Sequence, residues 1–298
     1  MTPSHAGAVK KTDSTALEGV ALMADRSDIR HKPVVYAVAG MDRVRIVKDV
    51  IYKHAADDAL EMDVYAPADL APGDLRPAVM YVNGDAGPAL TRHAKDMGAY
   101  LSWGRLAAAR GLVGVTFNHR SAEGWTKPDR PASDVDDLIG YVRASASRFN
   151  IDADRLCIWT CSGGPPFGLR TALRDRPSYV RCIVAYYGVM DLQHLRTPDD
   201  PDLSEETARA FSPVAYLGHQ PAHIPPLFVV KAGLDHALVN ASIDRFVMEA
   251  LHHNVMIDVL THPAGHHSFD ILDDTPRSHV IIRQTLDFMA RRLFLDVT

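Results

Sequence analysis

The chain has 298 residues, of which 47% are hydrophobic and 23% charged, ordinary values for a soluble globular protein with a sizeable core. The formal net charge of −5, with 15 histidines counted as neutral, argues against a nucleic-acid-binding surface and against an anionic membrane partner. No apolar run approaches the roughly 18 to 20 residues that span a bilayer, so no membrane span is predicted.

Residues 1 to 43 are interpreted as an N-terminal extension that contributes to a lid. Lys10 and Lys11 precede the short apolar run "ALEGVALMA", which loosely resembles a signal peptide, but Glu18 interrupts that run. We therefore expect a surface helix here and a cytoplasmic protein. Three cysteines lie in apolar sequence and are expected to be reduced and mostly buried: Cys157, Cys161 and Cys182.

After the extension, apolar runs alternate with helical patterns. The segments "RVRIVKDVIYK" and "ALEMDVYAP" predict a β-hairpin. Six nearly continuous apolar runs follow, as is typical of strands buried on both faces of a mostly parallel sheet. They read "PAVMYVNG", "LVGVTFN", "LCIWT", "CIVAYYG", "PLFVVKAG" and "VMIDVLTHP".

The segments between these runs carry helix signals. Ser133 and Asp136 fit a capping box at the start of one helix. Thr275 and Pro276 fit the N-cap and first position of the last helix. The alternation predicts one doubly wound α/β domain over residues 44–298, with helices on both faces and a small insertion at about 191–225. Ligands in such sheets bind at the carboxyl ends of the strands.

The stretch "LCIWTCSGGPPFG" runs from a predicted strand through a very small-residue turn into a predicted helix. A serine in such a turn is exposed above the sheet, and the turn requires small residues two places before and after it. Thr160 and Gly164 satisfy this requirement for Ser162, although Thr160 replaces the more usual glycine. Taking Cys161 as the nucleophile instead would place Trp159 at a small-residue position.

From about residue 45 to its end, the chain resembles the α/β-hydrolase family. That resemblance implies a triad in the order serine, acid, histidine, with the acid and the base on loops after the later strands. Asp235 in "PLFVVKAGLDHALV" is the favoured acid, and Asp191 in "YYGVMDL" is the alternative. His267 in "THPAGHHSFD" is the favoured base, and His266 is the alternative.

A metal site was considered for the histidines near the last strand. His262, His266 and His267 with His252 and His253 match no recognised ligand spacing, and no cysteine or carboxylate nearby completes a site. We expect no metal and no cofactor.

The resemblance also implies an oxyanion hole. One donor is expected from the amide of Gly163, the residue after the nucleophile. The other is expected from "NGDAGP", where many carboxylesterases have His-Gly-Gly-Gly. Gly84 keeps one glycine of that pattern, and either Asp85 or Ala86 supplies the amide. The Asp85 carboxylate would oppose a developing negative charge unless it points away or is hydrogen-bonded.

The resemblance implies a serine hydrolase, most simply a carboxylesterase acting on small or short-chain esters through an acyl-enzyme. Alternatives are a lactone or dienelactone hydrolase, a peptidase, and a non-catalytic ligand-binding member of the fold. The expected partner is a small-molecule ester, and the sequence indicates no oligomeric state. Insertions like the one at about 191–225 often form part of a lid in this family, so the resemblance also implies a short lid over the pocket. His119 and Trp125 in "FNHRSAEGW" are candidates for the pocket rim, although packing roles are the usual explanation.

Overall fold

All of the predicted strands lie in a single sheet. The computed structural model describes residues 29–55, 58–71, 73–85, 87–196 and 203–295. The sheet has eight strands in the order β1-β2-β4-β3-β5-β6-β7-β8. In chain order they are β1 (Arg45–Ala55), β2 (Asp58–Ala66), β3 (Arg76–Val82), β4 (Val113–Phe117), β5 (Ile151–Cys161), β6 (Val180–Tyr186), β7 (Leu227–Ala232) and β8 (Ile257–His262).

Strand direction follows the predicted pattern. The hairpin strands β1 and β2 pair antiparallel, and β2 joins β4 antiparallel. The remaining pairs are all parallel, so the carboxyl ends of β3 to β8 lie along one edge of the sheet. The prediction of a doubly wound, mostly parallel α/β fold is confirmed.

Helices cover both faces of this sheet. They are α1 (Pro88–Thr91), α2 (Gly98–Ala109), α3 (Asp129–Ala144), α4 (Pro165–Gly168), α5 (Arg170–Arg174), α6 (Leu192–Leu195), α7 (Glu205–Ala210), α8 (Ala237–His252), α9 (Phe269–Leu272) and α10 (Pro276–Phe294). Successive side chains of β3 enter opposite cores: Met80 packs in the core under α3 and α8, and Tyr81 in the core under α2 and α10. This two-sided burial explains why the central strands read as continuous apolar runs.

One predicted helix start is wrong. Helix α3 begins at Asp129 and not after Ser133, whose hydroxyl instead receives a hydrogen bond from Lys53 (2.9 Å). Pro131 does not prevent the earlier start, because amide groups in the first turn of a helix have no intrahelical acceptor. The prediction for the last helix is confirmed, since Thr275 caps α10 by accepting from the Ser278 amide.

Part of the N-terminal extension packs against the domain. Val34 is buried, the Val35 amide donates to the Asp270 carbonyl (2.8 Å), and the Gly98 amide at the start of α2 donates to the Arg30 carbonyl (2.8 Å). The helix expected at "ALEGVALMA" and residues 197–202 of the insertion lie outside the described residues. The division at residue 43 stays a prediction.

Two further features concern the helices and the cysteines. Within the described ranges, no helix combines the length and apolar character that crossing a bilayer requires. The three cysteines are free thiols in the buried core.

The N-cap of α10 provides a test of this fold. The Thr275 hydroxyl accepts from the Ser278 amide (3.2 Å) and lies 3.2 Å from His262 Nε2. We expect Thr275→Ala to lower the free energy of unfolding by about 1 kcal/mol, because the cap is lost. Thr275→Ser retains the hydroxyl and should retain most of that stability. Urea unfolding of both variants is the measurement, and equal losses in the two would contradict the role of the cap.

Candidate active site

The turn after β5 presents Ser162 at the carboxyl edge of the sheet. Ser162 follows the last strand residue directly and has φ of 54°, in the left-handed region that few non-glycine residues adopt. Its amide donates to the Tyr186 carbonyl of β6 (3.1 Å), which anchors the strained residue. Helix α4 begins three residues later at Pro165. The chain therefore forms the strand–turn–helix elbow that exposes a serine side chain.

Thr160 stands where the elbow more usually has glycine, and Gly168 provides the space for its side chain. A Cβ on Gly168 would lie 2.8 Å from the Thr160 methyl group, closer than real Cβ contacts. The last residue of α4 therefore leaves the space that Thr160 fills. Gly164 is also tightly enclosed, because a Cβ there would lie 2.9 Å from the Cys161 carbonyl oxygen.

Ser162, His267 and Asp235 form one continuous chain of hydrogen bonds. Ser162 Oγ lies 2.9 Å from His267 Nε2. His267 Nδ1 lies 2.8 Å from Asp235 Oδ2. The other Asp235 oxygen accepts from the His236 amide (2.7 Å), and the carboxylate is almost fully buried at 3% exposure. This arrangement holds the imidazole with one nitrogen toward the carboxylate and the other toward the hydroxyl, as nucleophilic catalysis requires.

The strand order explains why residues so distant in sequence meet. Asp235 follows β7 and His267 follows β8, while Ser162 follows β5. These strands are parallel, so all three residues emerge at the same edge. The Tyr187 ring at the end of β6 packs against the imidazole of His267, with centroids 4.8 Å apart.

The alternative acid and base have other partners. Asp191 is buried, caps α6 by accepting from the His194 amide (3.2 Å), and accepts from Arg245 Nε (2.9 Å). His266 is 61% exposed and its Nδ1 lies 3.1 Å from Asp273. Neither residue lies in the hydrogen-bonded chain.

The histidines considered as metal ligands also have protein partners. His262 Nε2 lies 3.0 Å from the Ser278 hydroxyl, and His253 Nε2 lies 2.9 Å from Glu249. In the part of the chain that the structure describes, no three His, Cys, Asp or Glu side chains are arranged to hold a metal ion.

The backbones of Gly163 and Asp85 lie close together beside Ser162. A Cβ on Gly163 would lie 3.4 Å from the Asp85 amide nitrogen, and a Cβ on Gly84 would lie 2.9 Å from the Ser162 Cβ. Neither the Gly163 nor the Asp85 amide donates to an acceptor among the described residues. Backbone N–H groups without an acceptor can stabilise an oxyanion where they converge on it. Ala86, the alternative donor, lies outside the described residues.

The Asp85 carboxylate is held by the loop after β4. It accepts from the Ser121 hydroxyl (2.9 and 3.0 Å), from the Ala122 amide (2.5 Å) and from the Gly87 amide (2.9 Å). The Asp85 carboxylate is therefore hydrogen-bonded, which is one of the two conditions under which an aspartate is expected to be tolerated in this turn.

His119 and Trp125 occupy positions behind this turn. His119 is buried, and its Nε2 lies 3.2 Å from the Asn83 carbonyl oxygen. It therefore supports the turn and does not line the pocket. The Trp125 indole is mostly buried, and a Cβ on Gly163 would lie 3.9 Å from it.

A pocket of about 130 Å³ opens beside Ser162 and His267. Apart from Ser162, His267 and the turn after β3, its wall is mostly apolar and aromatic. It includes one residue of the N-terminal segment and none of the described residues of the insertion at about 191–225. The apolar and aromatic lining consists of Ile29, Leu90, Ala94, Met97, Ala99, Tyr100, Trp103, Trp159, Cys161, Tyr187 and Ile271.

Asp270 also lines this pocket and was not identified from the sequence. Its carboxylate is buried and accepts from the Tyr187 hydroxyl (2.5 Å) and from Trp103 Nε1 (3.0 Å). Burial raises the pKa of Asp270, although these hydrogen bonds oppose the shift. The signal was present in "HHSFDIL", where an acid stands among apolar residues just after the predicted base.

The raised pKa of Asp270 makes a prediction about stability. Between the ordinary value of 3.8 and the raised value, the folded chain binds more protons at this site than the unfolded chain. The stabilisation from this group is therefore complete below pH 3.8 and is lost as the pH rises through the raised pKa.

Asp270→Asn removes this titration. We expect the free energy of unfolding of the variant, relative to wild type, to increase as the pH rises from about 4 to about 7. Urea unfolding at several pH values measures it. Asp69→Asn, at an exposed aspartate, is the control and should show no such trend. A difference independent of pH for Asp270→Asn would contradict the prediction.

Known proteins resemble this chain in sequence and in fold. The model of the BD-FAE family matches residues 62–242, more than half of the chain. Esterase LipQ of Mycobacterium tuberculosis is 27% identical over 260 residues, which cover 77% of this chain. The chain spans only 58% of the length of that relative.

Solved esterases share the fold at low sequence identity. Est2 from the planctomycete Thermogutta terrifontis is 17% identical, with a TM-score of 0.68 over 87% of this chain and 95% of its own. Est2 is also known with propionate bound, a structure with a TM-score of 0.65 and 17% identity that covers 85% of this chain and 94% of its own. A truncated carbohydrate esterase from gut microbiota has a TM-score of 0.69 at 17% identity, over 89% of this chain and all of its own. The family match over more than half of the chain, together with the sheet order, shows that the chain belongs to the BD-FAE family, within the α/β-hydrolase superfamily.

Proposed function

We propose that the protein is a serine esterase that hydrolyses short-chain carboxylic esters through an acyl-enzyme intermediate. The observation that carries the proposal is the chain of hydrogen bonds from Ser162 Oγ through His267 to Asp235, at 2.9 and 2.8 Å. Family membership and the similarity to Esterase LipQ support it.

In the proposed first step, Ser162 Oγ attacks the ester carbonyl carbon while His267 Nε2 takes the hydroxyl proton. Asp235 stabilises the imidazolium and keeps its orientation. The carbonyl oxygen becomes an oxyanion that accepts from the amides of Gly163 and Asp85. The tetrahedral intermediate then collapses, the alcohol leaves with the proton from His267, and the acyl group stays on Ser162.

The second step repeats the first with water as the nucleophile. His267 Nε2 removes a proton from water, the hydroxide attacks the acyl carbon, and the same amides hold the oxyanion. Collapse releases the carboxylic acid and returns the proton to Ser162. The cycle needs no group beyond these residues, the ester and water.

The substrate class follows from the dimensions and lining of the pocket. A volume of about 130 Å³ with an aromatic wall suits a small acyl group better than a long chain. The structural neighbour Est2 is known with propionate bound, which supports a short acid as the product. A lactone is chemically an internal ester and would react by the same steps.

The serine nucleophile can be tested directly. We expect Ser162→Ala to lower kcat for p-nitrophenyl acetate by about 10⁴-fold or more, because the attacking oxygen is removed. A fluorophosphonate probe should label wild type and not this variant. The neighbour Est2, known in a form phosphonylated by cyclosarin, supports the choice of probe. Equal nitrophenol release by wild type and Ser162→Ala would refute the proposal.

The assignment of the base has a matched control in the adjacent histidine. His267→Ala should lose activity to about the same extent as Ser162→Ala, because residues that act as a unit are not additive. His266→Ala should keep activity within about threefold, because its side chain is exposed and pairs with Asp273. Steady-state kinetics of both variants decides between the two. A larger loss of activity in His266→Ala than in His267→Ala would show that His267 is not the base.

Acyl-chain length tests the substrate class. We expect kcat/KM for p-nitrophenyl acetate and butyrate to exceed that for the octanoate by about tenfold or more. Tyr100 lines the pocket, and Tyr100→Ala should shift the preference toward longer chains by enlarging it. Faster turnover of the octanoate than of the butyrate by wild type would contradict the short-chain assignment.

A further inference from the structure

A second cleft, of about 430 Å³, is lined by arginines and lies away from the triad. It is formed by the end of α5, the end of α7 and the 3₁₀ turn Pro213–Tyr216. His219, three residues after this turn, also lines it. Arg174 and Arg176 come just before β6, so they lie at the amino edge of the parallel strands. Ser162 lies at the opposite, carboxyl edge. The cleft is therefore separate from the proposed ester site.

The arginines of this cleft have unused donors. Arg209 is exposed, and its guanidinium makes no hydrogen bond or ion pair among the described residues. Arg176 donates from Nη2 to the Tyr216 carbonyl (3.0 Å), while its buried Nε has no acceptor in the described part of the chain. A buried N–H without an acceptor is uncommon in folded proteins and requires an explanation.

The backbone fixes Arg176 in this position. Its φ is 47°, a left-handed conformation at the end of α5 that is unfavourable for a side chain of this size. The hydrogen bond to Tyr216 then holds the guanidinium against the 3₁₀ turn. The side chain is therefore oriented before any ligand arrives, which lowers the entropy cost of binding.

The local charge is unbalanced. The pKa of Asp175 is lowered by Arg174, Arg170 and Arg176, the largest cause being the hydrogen bond from Arg174. Arg174 donates twice to Asp175, at 2.6 Å each. Among the described residues, Asp136 also bonds to this helix, by accepting from the Thr171 hydroxyl.

Three arginines line the cleft, and one of them, Arg174, pairs with Asp175, so two guanidinium groups have no carboxylate partner among the described residues. Glu205 and Glu206 precede Arg209 on α7, but among the described residues neither forms an ion pair with it.

We propose that this cleft binds the phosphate group of a small phosphate monoester. A phosphate dianion matches the excess charge, and its several oxygens can accept from guanidinium groups that converge from different directions. The cleft is larger than inorganic phosphate, and Tyr216, Ala210 and Ala215 offer apolar surface for the organic part of the ligand.

Isothermal titration of the full chain at low ionic strength, in a buffer without phosphate, tests this site. The probes are inorganic phosphate and phenyl phosphate. We expect saturable binding of both, with phenyl phosphate tighter because its ring contacts the apolar surface. Arg176→Gln with Arg209→Gln should weaken binding by about tenfold or more, since charge-assisted hydrogen bonds are lost. The single variant Arg209→Gln, at an exposed position, should show a smaller loss in the same direction.

A charge-matched control separates a site from general attraction. Arg283→Gln with Arg291→Gln removes the same charge from exposed positions on α10, which packs on the other face of the sheet. Binding should be unchanged in this variant, and all variants should hydrolyse p-nitrophenyl acetate at the wild-type rate. No saturable binding of either probe to wild type, or equal weakening in the two double variants, would overturn the proposal.

Discussion

The close approach of the turns that follow β3 and β5 is the contact on which the rest of the candidate site depends. A Cβ on Gly84 would lie 2.9 Å from the Ser162 Cβ, and one on Gly164 would lie 3.1 Å from the Asn83 carbonyl oxygen. Glycine at both places lets the two backbones meet. Because they meet, the backbones of Gly163 and Asp85 lie close together beside Ser162, which supports the proposal that their amides bind the oxyanion.

The same contact places the Asp85 carboxylate near the position of the proposed oxyanion. The loop after β4 donates hydrogen bonds that stabilise this carboxylate. Ser121 and Ala122 bind the Asp85 carboxylate, and His119 supports the Asn83 carbonyl. The loop itself is strained, with positive φ at Glu123, Gly124 and Trp125 in succession. Strain of this kind persists where the surrounding contacts determine the conformation, and it is often found at functional sites.

The two pockets differ in the charge of their lining residues. The pocket beside Ser162 has Asp85 and Asp270 in its wall and no lysine or arginine among its described lining residues. Asp270 connects several elements, because its carboxylate binds Tyr187 and Trp103 while its carbonyl binds Val35 of the N-terminal segment. The arginine-lined cleft lies at the opposite edge. An anion bound there would be remote from the proposed ester site, so the two proposed sites need not compete.

Much of the architecture was determined by sequence alone, because local patterns carry it. Continuous apolar runs predicted the buried parallel strands, and small residues around Ser162 predicted the elbow. The predicted start of α3 was wrong. The capping-box pattern at Ser133 indicated a later start, but Pro131 fits within a first helical turn that begins at Asp129.

The acid and base alternatives stayed open because Asp191 and Asp235 both follow strands, as His266 and His267 both follow β8. Only the tertiary structure distinguishes these residues, by the partners that each side chain meets across elements far apart in the chain. The same holds for the donors around Asp85 and for the arginine cleft. Each of these features depends on contacts between segments that are far apart in the chain. Such contacts leave no periodic pattern in the sequence, so they could not be predicted from it.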